Sequence, residues 1–250
     1  MDSYRGQNDD ENELKRYERQ IRIFGEAGQE RLKNAKVFVA GAGGLGSPIS
    51  IYLAAAGIGR IRIIDHEKVE LNNLNRQILH RDENIGKEKA ASAQERLKKI
   101  NPDIQVEAIS ERMDENNVLE LVEGFDAIVD GLDNFYTRYL LNRAAIARDI
   151  AFFHGAINGL YGQATTIIPG KTACLRCIFP EPPSPTTFPA LGATCGIIGC
   201  IQATEVIKHL LKMGSLLENK LLFWDGLNGR IDEIKLERNP GCIDCGGKRW

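Results

Sequence analysis

The stretch Lys36-Val-Phe-Val-Ala-Gly41-Ala-Gly43-Gly44-Leu-Gly46-Ser-Pro48, its apolar continuation to Ala56, and Arg60-Ile-Arg-Ile-Ile-Asp65 beyond it decide the fold of this chain. Lys36 to Ala40 and Arg60 to Asp65 are short runs rich in β-branched residues. Gly44 to Ala56 between them carries the small and apolar side chains of a buried helix. Strand, glycine turn, helix and strand make one βαβ unit. Gly41, Gly43 and Gly46 satisfy G-x-G-x-x-G at its first turn, with Gly44 between them. Such glycines let backbone amides approach phosphates at the positive end of a helix, and Asp65 at the end of the second strand can accept hydrogen bonds from ribose hydroxyls. The motif predicts nucleotide binding. It leaves the nucleotide open, because an NAD-dependent oxidoreductase uses the same fingerprint.

The alternation continues outward from this unit. The spacing predicts a helix over Gly86 to Ile100, a strand over Ile104 to Ile109, a helix over Glu115 to Val122 and a strand over Asp126 to Asp130. A helix over Phe135 to Ala147 and a strand over Ile150 to His154 follow. Strands alternating with helices call for an α/β fold, a Rossmann-like, mostly parallel sheet with helices on both faces. After Gly155 the rhythm changes. Ala164 to Ile168, and the pair Leu221 to Trp224 and Arg230 to Leu236 joined through Gly226-Leu-Asn-Gly229, read as antiparallel additions, with a helix over Gly196 to Lys212 between them. We therefore expect an acidic N-terminal tail over 1–14 and a single domain over 15–250. Its nucleotide-binding half would run over 15–155 and its substrate-side half over 156–250.

Composition narrows the possible partners. The 250 residues carry 32 Lys and Arg against 34 Asp and Glu, a net charge of -2, which leaves no broad basic face for nucleic acid or an anionic membrane. The first residues contain no apolar core of a signal peptide, and no window approaches a membrane span, so a cytoplasmic protein is expected. In that compartment paired cysteines are metal ligands or redox centres more often than disulfides. Five of the nine prolines crowd into Pro180 to Pro189, which reads as an extended surface loop.

Past Asp65 runs a long polar loop, His66 to Gln77, containing Asn73, Arg76 and Gln77; Lys87 and Lys89 open the next helix. Hydride transfer gains nothing from cations beside the phosphates, whereas cleaving a triphosphate needs them as charge accumulates on the phosphoryl oxygens. Asp130-Gly-Leu-Asp133-Asn134 ends the fourth strand, at the sheet edge where ligands bind, and one of its carboxylates can hold Mg²⁺. Cys174-Leu-Arg-Cys177 and Cys242-Ile-Asp-Cys245 have the paired spacing of a four-thiolate zinc site with no open position, hence a structural one; redox pairs are the alternative. Of the other two thiols, Cys200 reads as a core residue, and Cys195, near a helix start that lowers a thiol pKa, as a candidate reactive one.

Taken together these residues resemble the ThiF, MoeB and HesA family, relatives of the ubiquitin-activating enzymes, from about Arg16 to Gly246. The resemblance rests on Arg16-Tyr-Glu-Arg19-Gln20-Ile, Phe24-Gly25, Gly28-Gln29-Glu-Arg-Leu32, GAGGLGSP at 41–48, Asp65, and Asn72 to Gln77. It continues through Gly86 with Lys89, GLDN at 131–134, both CxxC pairs and Ile201-Gln202-Ala203-Thr204-Glu205. It implies an ATP-dependent adenylyltransferase in which a carboxylate attacks the α-phosphorus of MgATP and expels pyrophosphate. The carboxylate is typically the terminal glycine of a small ubiquitin-like sulfur-carrier protein serving thiamine- or molybdopterin-type cofactor synthesis or protein modification. By analogy Arg76 and Lys89 hold phosphates, Asp133 the Mg²⁺ and Asp65 the ribose, with Asp130 a weaker second acid. Gly41, Gly43, Gly44 and Gly46 form the cradle, and Asn73 and Gln77 belong to the same site. The family also implies a homodimer in which Arg19 reaches the partner subunit's ATP.

Many relatives that pass sulfur on or form thioesters carry a further cysteine in the loop after the first CxxC pair. Here Ser184 to Phe188, where it would stand, holds none. The expectation is an enzyme that stops at the acyl-adenylate. Some family members instead adenylate small carboxylic acids, including a pyridinol precursor of an iron-containing hydrogenase cofactor, and that class is the alternative substrate.

Overall fold

The computed structural model describes residues 15–182 and 189–247; the expected acidic tail and Ser184 to Phe188 lie outside the described residues. Helix α1 (Glu18–Asn34), broken at Gly25 with φ 73°, precedes the βαβ unit of β1 (Lys36–Ala40), α2 (Gly46–Ala56) and β2 (Arg60–Ile64). Then come α3 (Lys89–Ile100), β3 (Gln105–Ile109), α4 (Val118–Leu121), β4 (Ala127–Asp130), α5 (Phe135–Arg148) and β5 (Ala151–Asn158). The chain closes with β6 (Tyr161–Ile167), α6 (Leu175–Ile178), α7 (Gly192–Leu211), β7 (Lys220–Asp225) and β8 (Arg230–Lys235). No helix among the described residues is long and apolar enough to cross a membrane.

All eight strands form one sheet in the order β3-β2-β1-β4-β5-β6-β7-β8. The first five pair in parallel and the last three antiparallel. The strand order reverses between β1 and β4, and a crevice opens at their carboxyl ends, as it does wherever an open α/β sheet changes winding direction. Alternate side chains of each parallel strand feed two cores. Val37, Val39, Ile61, Ile63 and Val129 pack under α2, α3 and α7, while Phe38, Ile64, Ile128 and Phe152 pack under α4 and α5.

The structure moves the expected boundaries of four elements. The strand expected to end at His154 runs on to Asn158, because Gly155 leaves room for the amide of Gln202; a Cβ there would lie 2.3 Å from its Oε1. Its hairpin partner β6 accordingly begins at Tyr161 rather than Ala164. The helix expected over Glu115 to Val122 is a single turn, since the Asp114 carboxylate accepts the amides of Asn116 and Asn117 and holds them in a turn. Helix α7 starts four residues early, at Gly192.

Candidate active site

Gly41 leaves β1 at φ +98°, a conformation that favours glycine, and its amide donates to Ile64 O at 2.8 Å. Gly46 begins α2 so close to this turn that a Cβ would fall 1.9 Å from Gly41 O. The turn is tied from two sides. Asp65 Oδ2 accepts the Ala42 amide at 2.8 Å and Oδ1 accepts the Glu67 amide at 2.9 Å, so this half-buried carboxylate braces the turn as well as facing the crevice. From beneath, His80 Nε2 lies 2.9 Å from Ala42 O and Nδ1 lies 2.9 Å from Ser92 Oγ. Burial pushes the His80 pKa down, so the ring is neutral; Nε2–H donates to Ala42 and Nδ1 accepts from Ser92. The sequence offered no sign of this histidine, whose partners stand 38 and 12 residues away.

One cleft of 1560 Å³ spans this turn and the neighbouring strand ends. Gly41, Gly43, Gly44, Asp65, Asn73, Arg76, Gln77, Lys89 and Asp133 all line it. Lys89, the first residue of α3, is buried, and its Nζ donates to Glu67 Oε2 at 2.6 Å. That hydrogen bond holds the Glu67 carboxyl below its usual range. Arg76 is half-buried and rests on Asn72 O at 2.8 Å and Asn75 Oδ1 at 3.1 Å. Asn73 is buried and closes its short 3₁₀ turn, its Oδ1 accepting the Glu70 amide at 3.0 Å. Gln77 is buried, and among the described residues its Oε1 has no partner, an orphaned acceptor beside Gly43. Asp133 is exposed at the mouth of the loop before α5.

Two expected site residues lie elsewhere. Gly46 shapes the turn without lining the cleft. Arg19 is exposed on the first turns of α1 and does not line the cleft of its own chain.

Burial decides three further candidates. Asp130 is no free second acid. It is wholly buried: Oδ2 accepts from Arg138 Nε at 3.0 Å and from His154 Nδ1 at 2.6 Å, and Oδ1 accepts the Leu132 amide at 2.9 Å. Its lone pairs are thus occupied before any cation arrives. Cys195 is not activated by its helix start, because it is buried against Gly44 and burial raises its thiol pKa above the usual value. Cys200, expected in the core, is half-buried.

Beyond Asp133 the cleft continues over the open face of the sheet. Ala156, Asn158, Tyr161, Gln163 and Phe223 line it from β5, β6 and β7, with Tyr161 stacked on Phe223 at 6.0 Å between ring centroids. Alternation along the hairpin puts these residues on one side, while Ala164, Leu222 and Trp224 turn toward the core under α7.

On the far side of α5 the four expected cysteines meet. Their Sγ atoms all lie within 4.8 Å of one another. Cys174 to Cys177 measures 3.8 Å, Cys174 to Cys242 3.6 Å and Cys177 to Cys245 3.4 Å, close to the edges of a tetrahedron about one cation and far beyond a disulfide bond. Asn142 of α5 joins the two knuckles, accepting the Leu175 amide at 2.8 Å and donating to Asp244 Oδ2 at 2.8 Å. The Asn239 amide donates to Cys177 Sγ at 3.4 Å. The cluster can hold a metal.

Comparison with known proteins agrees with this geometry. The ThiF family model matches residues 17–244. The SAMP-activating enzyme E1 of Haloferax volcanii is 44% identical over 245 residues, covering 95% of this chain and 90% of that protein. The sulfur carrier protein adenylyltransferase of Thermus thermophilus is 41% identical over 247 residues, covering 94% and 91%. The crystal structure of E. coli MccB with ATP superposes with a TM-score of 0.84 at 26% identity, covering 92% of this chain and 73% of that one. An adenylyltransferase therefore replaces the dehydrogenase that the glycine turn alone would suggest. The chain belongs to the ThiF family, as an ATP-dependent adenylyltransferase of the ThiF and MoeB type.

Proposed function

We propose that this chain uses MgATP to adenylate the C-terminal glycine carboxylate of a small ubiquitin-like sulfur-carrier protein. The reading is carried by the cleft, which joins a phosphate-sized cradle with two cations to an exposed sheet face lined by Asn158, Tyr161, Gln163 and Phe223. Its 1560 Å³ exceeds the roughly 300–1,000 Å³ of a small-molecule pocket, leaving space for an extended tail beside a nucleotide. The Thermus relative is named for a sulfur-carrier substrate, and MccB was crystallised with ATP. A small carboxylic acid, such as a pyridinol precursor, would leave much of that face unused.

In this reaction a carboxylate oxygen forms a bond to the α-phosphorus, the bond to the β-bridging oxygen breaks, and pyrophosphate leaves with the electron pair. A carboxylate with a pKa of roughly 3.5 is already ionised near neutrality, so no general base is required. The obstacle is the approach of one anion to another. The turn amides and the N-terminus of α2 receive phosphate oxygens, Arg76 and Lys89 neutralise them, and Asp65 takes the ribose. Gln77 Oε1 accepts a nucleotide hydrogen bond, with Asn73 holding the loop beneath. Asp133, exposed at the strand end, holds Mg²⁺, which offsets phosphate charge when bound.

The four cysteines bind Zn²⁺ as a closed structural site, since a bond of about 2.3 Å in a tetrahedron demands sulfur separations of about 3.8 Å. The enzyme works as a homodimer in the cytoplasm, with Arg19 completing the partner subunit's site, and releases the acyl-adenylate without a thioester step. The buried Cys195 agrees with that ending.

The test is pyrophosphate exchange into ATP, run with ubiquitin-like carriers ending in Gly-Gly and with small acids. Carrier-dependent, magnesium-dependent exchange is expected; exchange with small acids alone would overturn the substrate. Arg19→Ala and Lys89→Met should each abolish exchange, and mixing the two should restore part of it through hybrid dimers. No recovery would overturn the role of Arg19 across the interface.

A further inference from the structure

Beneath the open face of β5 and β6, Asp130, His154 and Gln163 form a chain of hydrogen bonds that ends in the cleft. His154 is wholly buried and gives its Nδ1 proton to Asp130 Oδ2 at 2.6 Å. With Asp130 already neutralised by Arg138, the ring stays neutral and Nε2 carries a lone pair. Gln163 Nε2 lies 3.4 Å from that nitrogen. An imidazole lone pair accepts only from the amide NH₂, so the contact sets the flip state of the amide and turns Oε1 away from His154. Among the described residues nothing donates to Oε1.

This oxygen stands on a strand surface built for an extended chain. Gln163 faces Ala156 on β5 and Phe223 on β7, a methyl group on one side and the edge of an aromatic stack on the other. Its immediate neighbours on either side are apolar, and the polar groups of Asn158 and Tyr161 stand farther along the hairpin, at its turn. A peptide in extended conformation offers backbone N–H groups to one side at every second residue, a repeat of about 6.8 Å. A small carboxylic acid without an amide has no such donor to offer.

We infer that Gln163 Oε1 is a specificity-determining acceptor for a backbone N–H in the tail that carries the reacting carboxylate, and that Asp130 and His154 hold it in the accepting orientation. The inference rests on the proposed adenylation of a protein tail and adds the group that reads the tail as peptide. A site whose acceptor goes unpaired with the wrong substrate discriminates more strongly than an apolar pocket does.

The experiment uses full-length enzyme and semisynthetic ubiquitin-like carriers ending in Gly-Gly, in which the last four residues are replaced one at a time by the corresponding α-hydroxy acid. Each ester removes one N–H. Gln163→Leu should raise the KM for the all-amide carrier about tenfold, and one ester should do the same to the wild type. That ester should cost Gln163→Leu nothing further. Gln163→Glu keeps an outward acceptor but cannot donate to a neutral His154, so at pH 8 its KM should rise as in the leucine variant. If no ester raises the wild-type KM, if the two effects multiply, or if Gln163→Leu moves the KM for ATP instead, the inference is overturned. A wild-type KM for Gln163→Glu overturns the role of His154. Wild-type enzyme with no carrier-dependent exchange at all overturns the proposed function, and the inference with it. Normal exchange without coupling overturns the inference alone.

Discussion

Asp130 and Arg138 meet as a buried ion pair, Nε to Oδ2 at 3.0 Å, where β4 gives way to the loop that carries Asp133. Arg138 also donates to Leu132 O and, at 3.1 Å, to Gly155 O, so one guanidinium pins that loop to β5. Gln202 of α7 adds a bond to Asp130 O at 2.8 Å. The two halves of the sheet are locked together directly under the cleft.

Arg138→Met removes the partner of a fully buried carboxylate and should destabilise the protein by about 3–5 kcal/mol, read by equilibrium unfolding in urea. Pairing it with Asp130→Asn should cost less than the sum of the two single changes, because the stranded charge is gone. A single-variant loss below about 1 kcal/mol would mean that the carboxylate takes up a proton instead.

Acid should weaken the fold in two stages. Burial holds His80, His154 and His209 below the ordinary value near 6.5, in the case of His154 against the raising pull of Asp130. Below that value the unfolded chain binds protons that the folded one refuses, so stability falls as pH drops, by up to about 1.4 kcal/mol per pH unit for each of the buried rings His80 and His154 and by less for the half-buried His209. Burial works to raise the Asp130 pKa, but Arg138 and His154 outweigh it and leave it lowered. Its contribution is present above roughly pH 3.9 and disappears as pH falls through the lower folded value. Unfolding free energy measured between pH 8 and 4 checks the first stage; a flat profile from 6.5 to 5 would contradict it.

Two glycine-to-alanine changes should differ in sign. At Gly46 the new Cβ would lie 1.9 Å from Gly41 O, backbone against backbone, so Gly46→Ala should distort the turn and abolish nucleotide binding by calorimetry. Gly196 sits inside α7, and, its neighbours in the helix aside, no described residue lies within 4 Å of its Cβ position. There alanine should stabilise by about 0.5–1 kcal/mol, through reduced freedom of the unfolded chain and better helix propensity.

Removing the metal should loosen the chain around the knuckles before the nucleotide cradle, since the Cys174 and Cys242 knuckles pack in the core under α5 and not in the one that holds α2. Cys242→Ser, or chelation, should release one zinc per chain and lower the melting temperature by about 2–4 °C for each kcal/mol lost. Carrier affinity should fall more than ATP affinity. An equal fall in both would place the metal's influence at the cradle.

The unit from Lys36 to Asp65 was legible because hydrophobic periodicity, glycine conformation and strand ends are properties of neighbours along the chain. The cysteine cluster was legible because metal-ligand spacing repeats within each pair. Arg76, Lys89, Asp65 and Asp133 could be gathered from the rule that loops at the carboxyl ends of parallel strands share one crevice, and they do line one cleft. Residue chemistry alone could not separate Asp130 from Asp133, three residues apart and alike; only the family resemblance ranked Asp133 first. Their difference is burial: β4 carries Asp130 inward to Arg138 and His154, and the loop turns Asp133 out to solvent. The roles of His80, His154 and Gln163 and the burial of Cys195 were likewise decided only by the tertiary structure. A side chain's protonation and hydrogen-bond direction depend on groups brought near by packing, and those partners sit on other strands and helices, often far along the chain.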